Sequence, residues 1–401
     1  MTTDYDIVAV GGGLGGSALA KAMAERGYKV LVLEREKEFK DRVRGEYMFP
    51  WGVAEAKSLG LYDVLMEECG HHPQYMEIFT AGGSIGPRDF SETTPQKVHA
   101  LCFYHPAMQE TLLKAAESAG AEVRRGVRVR SVTPGSEPTA TIEANGSEEM
   151  ISARLIVGAD GRNSMVRKWG GFDILEDERG MQLAGLLLDN VDGVDDRAVT
   201  VFNPFSQRIA LLLPQGGGRV RAYLGYRIDE DLRLQGDKDV PRFLEESVKT
   251  GGKPELYQNA TQAGPLATFP CIYEWIDHPY KDGVALVGDA ATTSDPTWGQ
   301  GLSLTVGAVR RLRDALLENE DWDAAGDSFA AAVKGMWDPI RTVEMWFAEV
   351  LMGKGQEADA IRIKALTAMG QDQDRVPDVF NSGPDVVPVN EETRRRFFGE
   401  D

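Results

Sequence analysis

The stretch Tyr5-Asp6-Ile7-Val8-Ala9-Val10-Gly11-Gly12-Gly13-Leu14-Gly15-Gly16 decides the fold of this chain. Its first half is a short apolar run closed by glycine, the pattern of a strand buried on both faces of a parallel sheet. Its second half opens Leu14 to Arg26, where Ala18, Ala20, Ala22, Met23 and Ala24 are good helix formers and Gly27 supplies the stop. A second strand is expected over Lys29 to Leu33, closed by Glu34. Strand, glycine-rich turn, helix, strand and carboxylate in that order form a dinucleotide cradle. Gly11 permits the tight turn, Gly13 lets backbone N–H groups approach a pyrophosphate, and Gly16 lets the helix pack close to the strand. The start of the helix favours phosphate, and Glu34 suits the hydroxyls of an adenosine ribose. Glycine-rich turns also occur in cofactor-free α/β proteins, but that reading leaves the second strand and its closing carboxylate without a reason.

Two further apolar runs end the same way. Ala153 to Val157 leads into Gly158-Ala159-Asp160-Gly161-Arg162-Asn163-Ser164, and Val284 to Val287 leads into Gly288-Asp289-Ala290-Ala291. Ligands of open α/β sheets sit at the carboxyl ends of strands. Asp-Gly alone is a turn signal, but a turn needs neither the preceding strands nor the recurrence. Beyond Asp289, Pro296, Gly299, Gln300 and Gly301 make a tight loop before a helix over Leu302 to Leu317. Such a loop lets backbone approach a flat ring, and the helix start offers free N–H groups and positive dipole to the anionic edge of a reduced flavin. Together the three segments point to FAD: Gly11, Gly13, Leu14, Gly16 and Glu34 for the ADP half, Asp160 and Asp289 for the linking region, and Pro296 to Gly301 for the ring.

Composition narrows the field. The 401 residues carry a net charge of -19, which disfavours nucleic acid and anionic membrane surfaces. Three cysteines (Cys69, Cys102, Cys271) include no Cys-x-x-Cys pair, so neither a zinc site nor a redox dithiol is expected. The histidines form no metal-ligand pattern, and no metal is expected. No apolar run reaches the ~18 residues of a membrane span, and no secretory signal is visible. A soluble, cytoplasmic protein without a membrane anchor is the expectation.

With these motifs in this order, Met1 to about Leu317 resembles the class A flavoprotein monooxygenases, the para-hydroxybenzoate hydroxylase-like FAD-dependent oxidoreductases. The resemblance implies that Asp289 meets the ribityl chain of FAD and that Asp160 and Gly161 serve both FAD and the nicotinamide nucleotide. It places Arg42 and Arg44 near the pyrophosphate, and Gln109, on a helix over Pro106 to Ala119, against FAD. Arg35, Val129 and Gly288 complete the expected cofactor shell. Two departures stand out: Thr292 occupies a position often held by histidine, and His105 one often held by arginine. The Trp-x-Trp-x-Ile-Pro signature of tryptophan-type halogenases is absent.

The fold class implied is α/β: a Rossmann-like FAD-binding domain with a parallel sheet (1–70, 100–180 and 275–320), interleaved with an antiparallel-sheet substrate domain (71–99 and 181–274), then a C-terminal helical region and tail (321–401). Met76–Ala81 and Val98–Tyr104 read as one set of strands, with a turn at Gly82-Gly83. Gln182–Leu188, Ala198–Phe202, Ile209–Leu213 and Val220–Tyr226 read as another. Trp322 to about Met369 reads as helical, and the Asp/Pro/Gly-rich tail from Gln371 as loosely ordered or docked. Candidate pocket residues are Tyr47, Phe49, Trp51, Tyr223, Pro296 and Trp298, since aromatic side chains beside a flavin stack on planar substrates; taken singly, core packing explains each of them as well, Trp298 excepted. No catalytic acid or base is evident.

The expected activity is FAD-dependent monooxygenation. NADH or NADPH reduces the flavin, O2 adds to give a flavin hydroperoxide, and one oxygen atom passes to an apolar, aromatic or unsaturated small organic substrate. Alternatives on the same scaffold are a reductase, a halogenase, or a two-component epoxidase fed by a separate flavin reductase; a flavin-binding redox sensor ranks below them. A homodimer is left open.

Overall fold

A computed structural model describes residues 3–80, 83–144, 146–177 and 180–401. The glycine-terminated apolar runs form the centre of an eight-stranded sheet. Its main path runs Tyr280–Lys281, Val284–Leu286, Ser147–Gly158, Tyr5–Val10, Val30–Glu34, Glu122–Arg125. The inner neighbours are parallel, and Val10 stands opposite Gly158, which stands opposite Leu286. The three cofactor motifs therefore leave three adjacent strands at the same level. Both sheet faces are covered, as uninterrupted apolar strands require. Ile7, Ala9, Val30, Val32, Leu155 and Val157 pack toward the helices Leu14–Ala24, His105–Ser118 and Gly301–Glu318. Val8, Leu31, Ile156 and Leu286 pack instead on Val132, Ala140 and Ile142 of the strands Arg128–Thr133 and Thr139–Ala144.

A second eight-stranded sheet holds Met181–Asp189, Arg219–Arg227, Arg208–Gly216 and Arg197–Asn203, antiparallel save at its far end. There Arg197–Asn203 pairs in parallel with Tyr75–Thr80, which continues into Gly83–Asp89. The expected turn residues Ala81 and Gly82 lie outside the described residues. The expected grouping of Met76–Ala81 with Val98–Tyr104 is corrected: Leu101–Phe103 belongs to a separate three-stranded sheet with Tyr47–Met48 and Gly70–His71. Alternation identifies a strand but not its partner.

The C-terminal region is two helices, Trp322–Met352 and Gly355–Gln371, broken where Gly355 takes φ +85°. The tail docks. Phe397 and Phe398 are buried and pack on Trp346 with centroids 5.5 and 6.5 Å away. Two phenylalanines buried in this way contribute about 1.5–3 kcal/mol each, enough to hold the short helices Val379–Ser382 and Glu391–Phe397 on the body. Among the described residues no helix is long and apolar enough to cross a membrane.

Candidate functional site

The glycine-rich turn is fixed by backbone contacts that a side chain would break. Gly11 has φ +107°, and a Cβ there would lie 2.4 Å from the carbonyl oxygen of Ala159. A Cβ on Gly16 would lie 1.9 Å from the Gly11 oxygen. A Cβ on Gly13 meets nothing closer than the Gln109 amide at 3.6 Å. Gly11 and Gly16 thus close the turn, while Gly13 faces open space. No side chain caps the helix that starts at Leu14, so its first N–H groups point outward without a protein acceptor. Glu34 is buried at the end of its strand and accepts from the N–H of Gly12 and of Glu36, both at 2.7 Å, one on each oxygen. Each oxygen keeps acceptor capacity for a further donor.

Segment 41–46 crosses from this sheet to the other. Val43 sits at φ +51°, rare for a β-branched residue, with its backbone N–H on Asp41 Oδ1 at 2.9 Å. A buried ion cluster clamps the segment. Arg221, fully buried on the second sheet, donates from Nε to Glu46 Oε2 at 2.7 Å and from Nη2 to Glu46 Oε1 at 3.1 Å and Asp41 Oδ2 at 2.8 Å. Tyr223, one turn of the pleat further along, donates to the carbonyl of Arg44 at 2.6 Å. The clamp presents Arg44 toward Asp289, with Nη1 3.5 Å from Oδ2. Burial pushes the Asp289 carboxyl up, against the pull of Arg44 and Arg162. His105 donates from Nδ1–H to the Gly45 carbonyl, 2.8 Å away, and burial holds its ring neutral with the pKa pushed down to about 4.

The third motif carries the turn Pro296–Trp298. The Asp295 side chain accepts from Thr297 N–H at 2.8 Å, and Gly299 follows in the left-handed region at φ +70°. The Trp298 indole donates to the Tyr273 hydroxyl at 2.9 Å. Behind the turn Glu344 is fully buried, neither oxygen has a hydrogen-bond partner, and burial beside Asp295 pushes its carboxyl well up.

The three motifs and segment 42–46 face one cavity of about 2590 Å³ that runs without a break from the glycine turn to the C-terminal helices. Residues 4–328 match the model of the family described as FAD binding domain. The chain belongs to that family. This FAD-binding protein is 27% identical over 320 residues to a digeranylgeranylglycerophospholipid reductase of Methanosphaerula palustris, covering 75% of this chain and 73% of the relative. It is 26% identical to the 3-demethoxyubiquinol 3-hydroxylase of Escherichia coli, covering 81% and 82%. Its fold matches that of p-nitrophenol 4-monooxygenase from Pseudomonas putida with a TM-score of 0.77 at 20% identity, over 95% and 97% of the two chains. The architecture is that of the flavin monooxygenase class the motifs resemble.

The FAD-binding protein brings most of the expected residues to the cavity wall. Gly11, Gly13, Leu14, Glu34, Arg35, Arg42, Arg44, Gln109, Val129, Asp160, Gly161, Gly288, Asp289, Pro296, Gly299 and Gly301 line it, as do Tyr47, Phe49, Tyr223 and Trp298. Three differ. Gly16 works behind the wall, in the turn itself. Gln300 is fully buried and donates to the Trp298 carbonyl, and its Oε1 accepts from the Trp51 indole at 3.1 Å. Trp51 and Gln300 are thus engaged with each other in the core and are absent from the wall. The Asp160 carboxylate caps the helix Met165–Trp169 through Ser164 Oγ and the N–H groups of Met165 and Val166. An FAD fits what remains: a helix start without acceptors, a glycine with open space in front, and a carboxylate with lone pairs to spare.

Sequence reasoning did not single out Phe202, Phe347 and Phe380. They surround Trp298, with ring centroids 6.5, 5.3 and 6.1 Å from it, and line the far end of the cavity. Phe202 lay on an expected strand and Phe347 on an expected helix, where an aromatic residue reads as core. Phe380 lay in a tail whose docking no local pattern signals.

Proposed function

We propose that this chain is an FAD-dependent monooxygenase that draws electrons from NADH or NADPH and places one oxygen atom of O2 on an apolar, aromatic or unsaturated small organic molecule. The carrying observation is the single cavity, whose glycine-rich half suits FAD and whose far half is walled by Trp298, Phe202, Phe347 and Phe380. FAD supplies the redox chemistry and the activation of O2 when bound. The chain's own residues supply place and dryness. Glu34 receives the adenosine ribose, the N–H groups ahead of Leu14 and the side chain of Arg44 take the pyrophosphate, and the backbone at Gly288–Asp289 with the helix start at Gly301 takes the ribityl chain and ring edge. Arg35, Gln109 and Val129 complete that shell. The aromatic wall orients a flat substrate and excludes water. A neutral His105 leaves Arg44 as the cation nearest Asp289. No side chain is assigned as general acid or base. The two sheets support the interleaved division into 1–70, 100–180 and 275–320 for FAD, 71–99 and 181–274 for substrate, and 321–401 as a cover. Free Cys69, Cys102 and Cys271 fit a cytoplasmic setting.

The test is oxidation of NADH and NADPH by the purified FAD-loaded enzyme, with O2 uptake, across a panel of aromatic and polyunsaturated compounds. Stimulation of both by a panel member supports the reading. FAD binding with no O2 uptake under any reductant sinks it. Slow direct oxidation that a separate flavin reductase rescues favours the two-component form. The similarity to a reductase supports one second reading, reduction of an unsaturated substrate; it predicts turnover without O2.

A further inference from the structure

We propose that the far end of the cavity takes a flat aromatic compound that is uncharged or carries a basic amine, and that it rejects carboxylates. Calling this occupant the substrate rests on the oxygenase reading above; the binding preference itself does not.

The cavity is divided by charge. Apart from Arg88, its cationic side chains, Lys40 and the arginines Arg35, Arg42, Arg44, Arg128, Arg130 and Arg162, lie in the glycine-rich half, where phosphates are expected. At the aromatic end, among the described residues, one cation lines the wall, Arg88. Its charge is already matched, since Nη1 and Nη2 each donate to the Asp378 carboxylate at 2.8 Å. Asp89, Glu92 and Asp374 line the same end. Asp89 accepts from the Ser91 N–H and hydroxyl, whereas Glu92 and Asp374 are exposed at the rim. Four carboxylates thus face one engaged guanidinium.

The wall itself is apolar. Phe202, Phe347 and Phe380 form a continuous surface around Trp298, with neighbouring centroids 5.8 to 6.1 Å apart along Phe202–Phe347–Phe380. Such a surface is broader than one ring and suits offset stacking of a fused ring system. The Tyr47 ring lines the cavity beside Phe49, and its buried hydroxyl has no hydrogen-bond partner. That hydroxyl is the polar group available to orient a neutral hydroxyl or amine. An anionic ligand would leave water for a site with no unmatched cation among the described residues and with rim carboxylates repelling it, and a buried charge without a partner is costly. An ammonium group meets Glu92 and Asp374 on the way in and keeps a counter-charge once bound.

The experiment is calorimetric titration of the FAD-loaded enzyme near neutral pH with three probes of one shape: 2-naphthylmethanol, 2-naphthylmethylamine and 2-naphthoate. The alcohol and the amine should bind, and the naphthoate should bind at least about tenfold more weakly than the alcohol, a gap of about 1.4 kcal/mol. In the E92Q/D374N variant the amine should bind more weakly, relative to the alcohol, than it does in the unaltered enzyme. A second variant, D378N, unmatches Arg88 and should narrow the naphthoate gap. Naphthoate binding as tight as the alcohol in the unaltered enzyme overturns the proposal, as does failure of all three probes to bind. Titration needs no turnover, so the two readings fail separately. The expected order of binding without O2 uptake removes the oxygenase and keeps this preference. Oxygenation of a carboxylate removes the preference and keeps the oxygenase.

Discussion

Arg221→Met tests whether segment 41–46 is held in place by charge. The wild-type guanidinium is fully buried and bonds Glu46 at 2.7 and 3.1 Å and Asp41 at 2.8 Å. Methionine fills the volume but strands the buried Glu46, which keeps the N–H of His105 at 2.9 Å and the Gln215 amide as neutral donors. Breaking one side of a buried pair costs about 3–5 kcal/mol. At the usual entropy of unfolding per residue, a chain of this length loses roughly 1.2 °C per kcal/mol, so the apo-protein midpoint should fall by about 4–6 °C. The deficit depends on pH. Burial already raises the Glu46 carboxyl and Arg221 opposes that rise; without the arginine the folded state holds a proton that the unfolded chain releases. The lost stability is therefore small below the ordinary carboxylate range and grows by about 1.4 kcal/mol per pH unit above it. If about 1.4 kcal/mol of the loss reaches the placement of Arg42 and Arg44, FAD binds about tenfold more weakly. Thermal unfolding of the apo-protein across pH and FAD titration by fluorescence quenching read both effects. Arg221→Met combined with Glu46→Gln removes the stranded charge and should recover most of the midpoint. An unchanged midpoint and FAD affinity in the single variant, or a double variant no better than the single one, would refute the reasoning.

Other outcomes follow from the same contacts. Gly13→Ala adds a Cβ with no neighbour nearer than 3.6 Å; the apo-protein should stay within about 0.5 kcal/mol of wild type while FAD affinity falls. Gly16→Ala drives a Cβ to 1.9 Å from backbone and should lower the apo-protein midpoint and FAD affinity together, so equal behaviour of the two variants by calorimetry and titration would be wrong for this turn. Glu344→Met removes a buried carboxyl with no partner. Because the folded Glu344 pKa is raised, wild-type stability is full below the unfolded value and declines as pH rises by about 1.4 kcal/mol per unit until the folded value is passed. The variant should be more stable at neutral pH, with the gap closing in acid, as followed by thermal midpoints from pH 4 to 8.

The parallel half of the fold was legible because its signals are local. Each motif strand is a short apolar run ending in glycine, and the register Val10–Gly158–Leu286 then follows from sheet geometry. The site was legible where the backbone does the work, at Gly11, Gly13 and Gly299. It was not legible where partners are remote. The Arg221–Glu46 pair spans 175 residues, and nothing near either residue announces the other. Trp51 and Gln300 each look like pocket or cofactor residues on their own, and only their mutual hydrogen bond places them in the core. Phe380 reaches Trp298 because Phe397 and Phe398 anchor the tail, a contact between segments with no shared periodicity.

The most direct measurement is incorporation of isotopically labelled dioxygen. The FAD-loaded enzyme is supplied with NADH or NADPH, labelled O2 and a compound that stimulates reductant oxidation, and the product is weighed by mass spectrometry. The account predicts one labelled oxygen atom per product molecule, none derived from water, and loss of the labelled product in Gly13→Ala. A product reduced rather than oxygenated, or oxygen drawn from water, would contradict it.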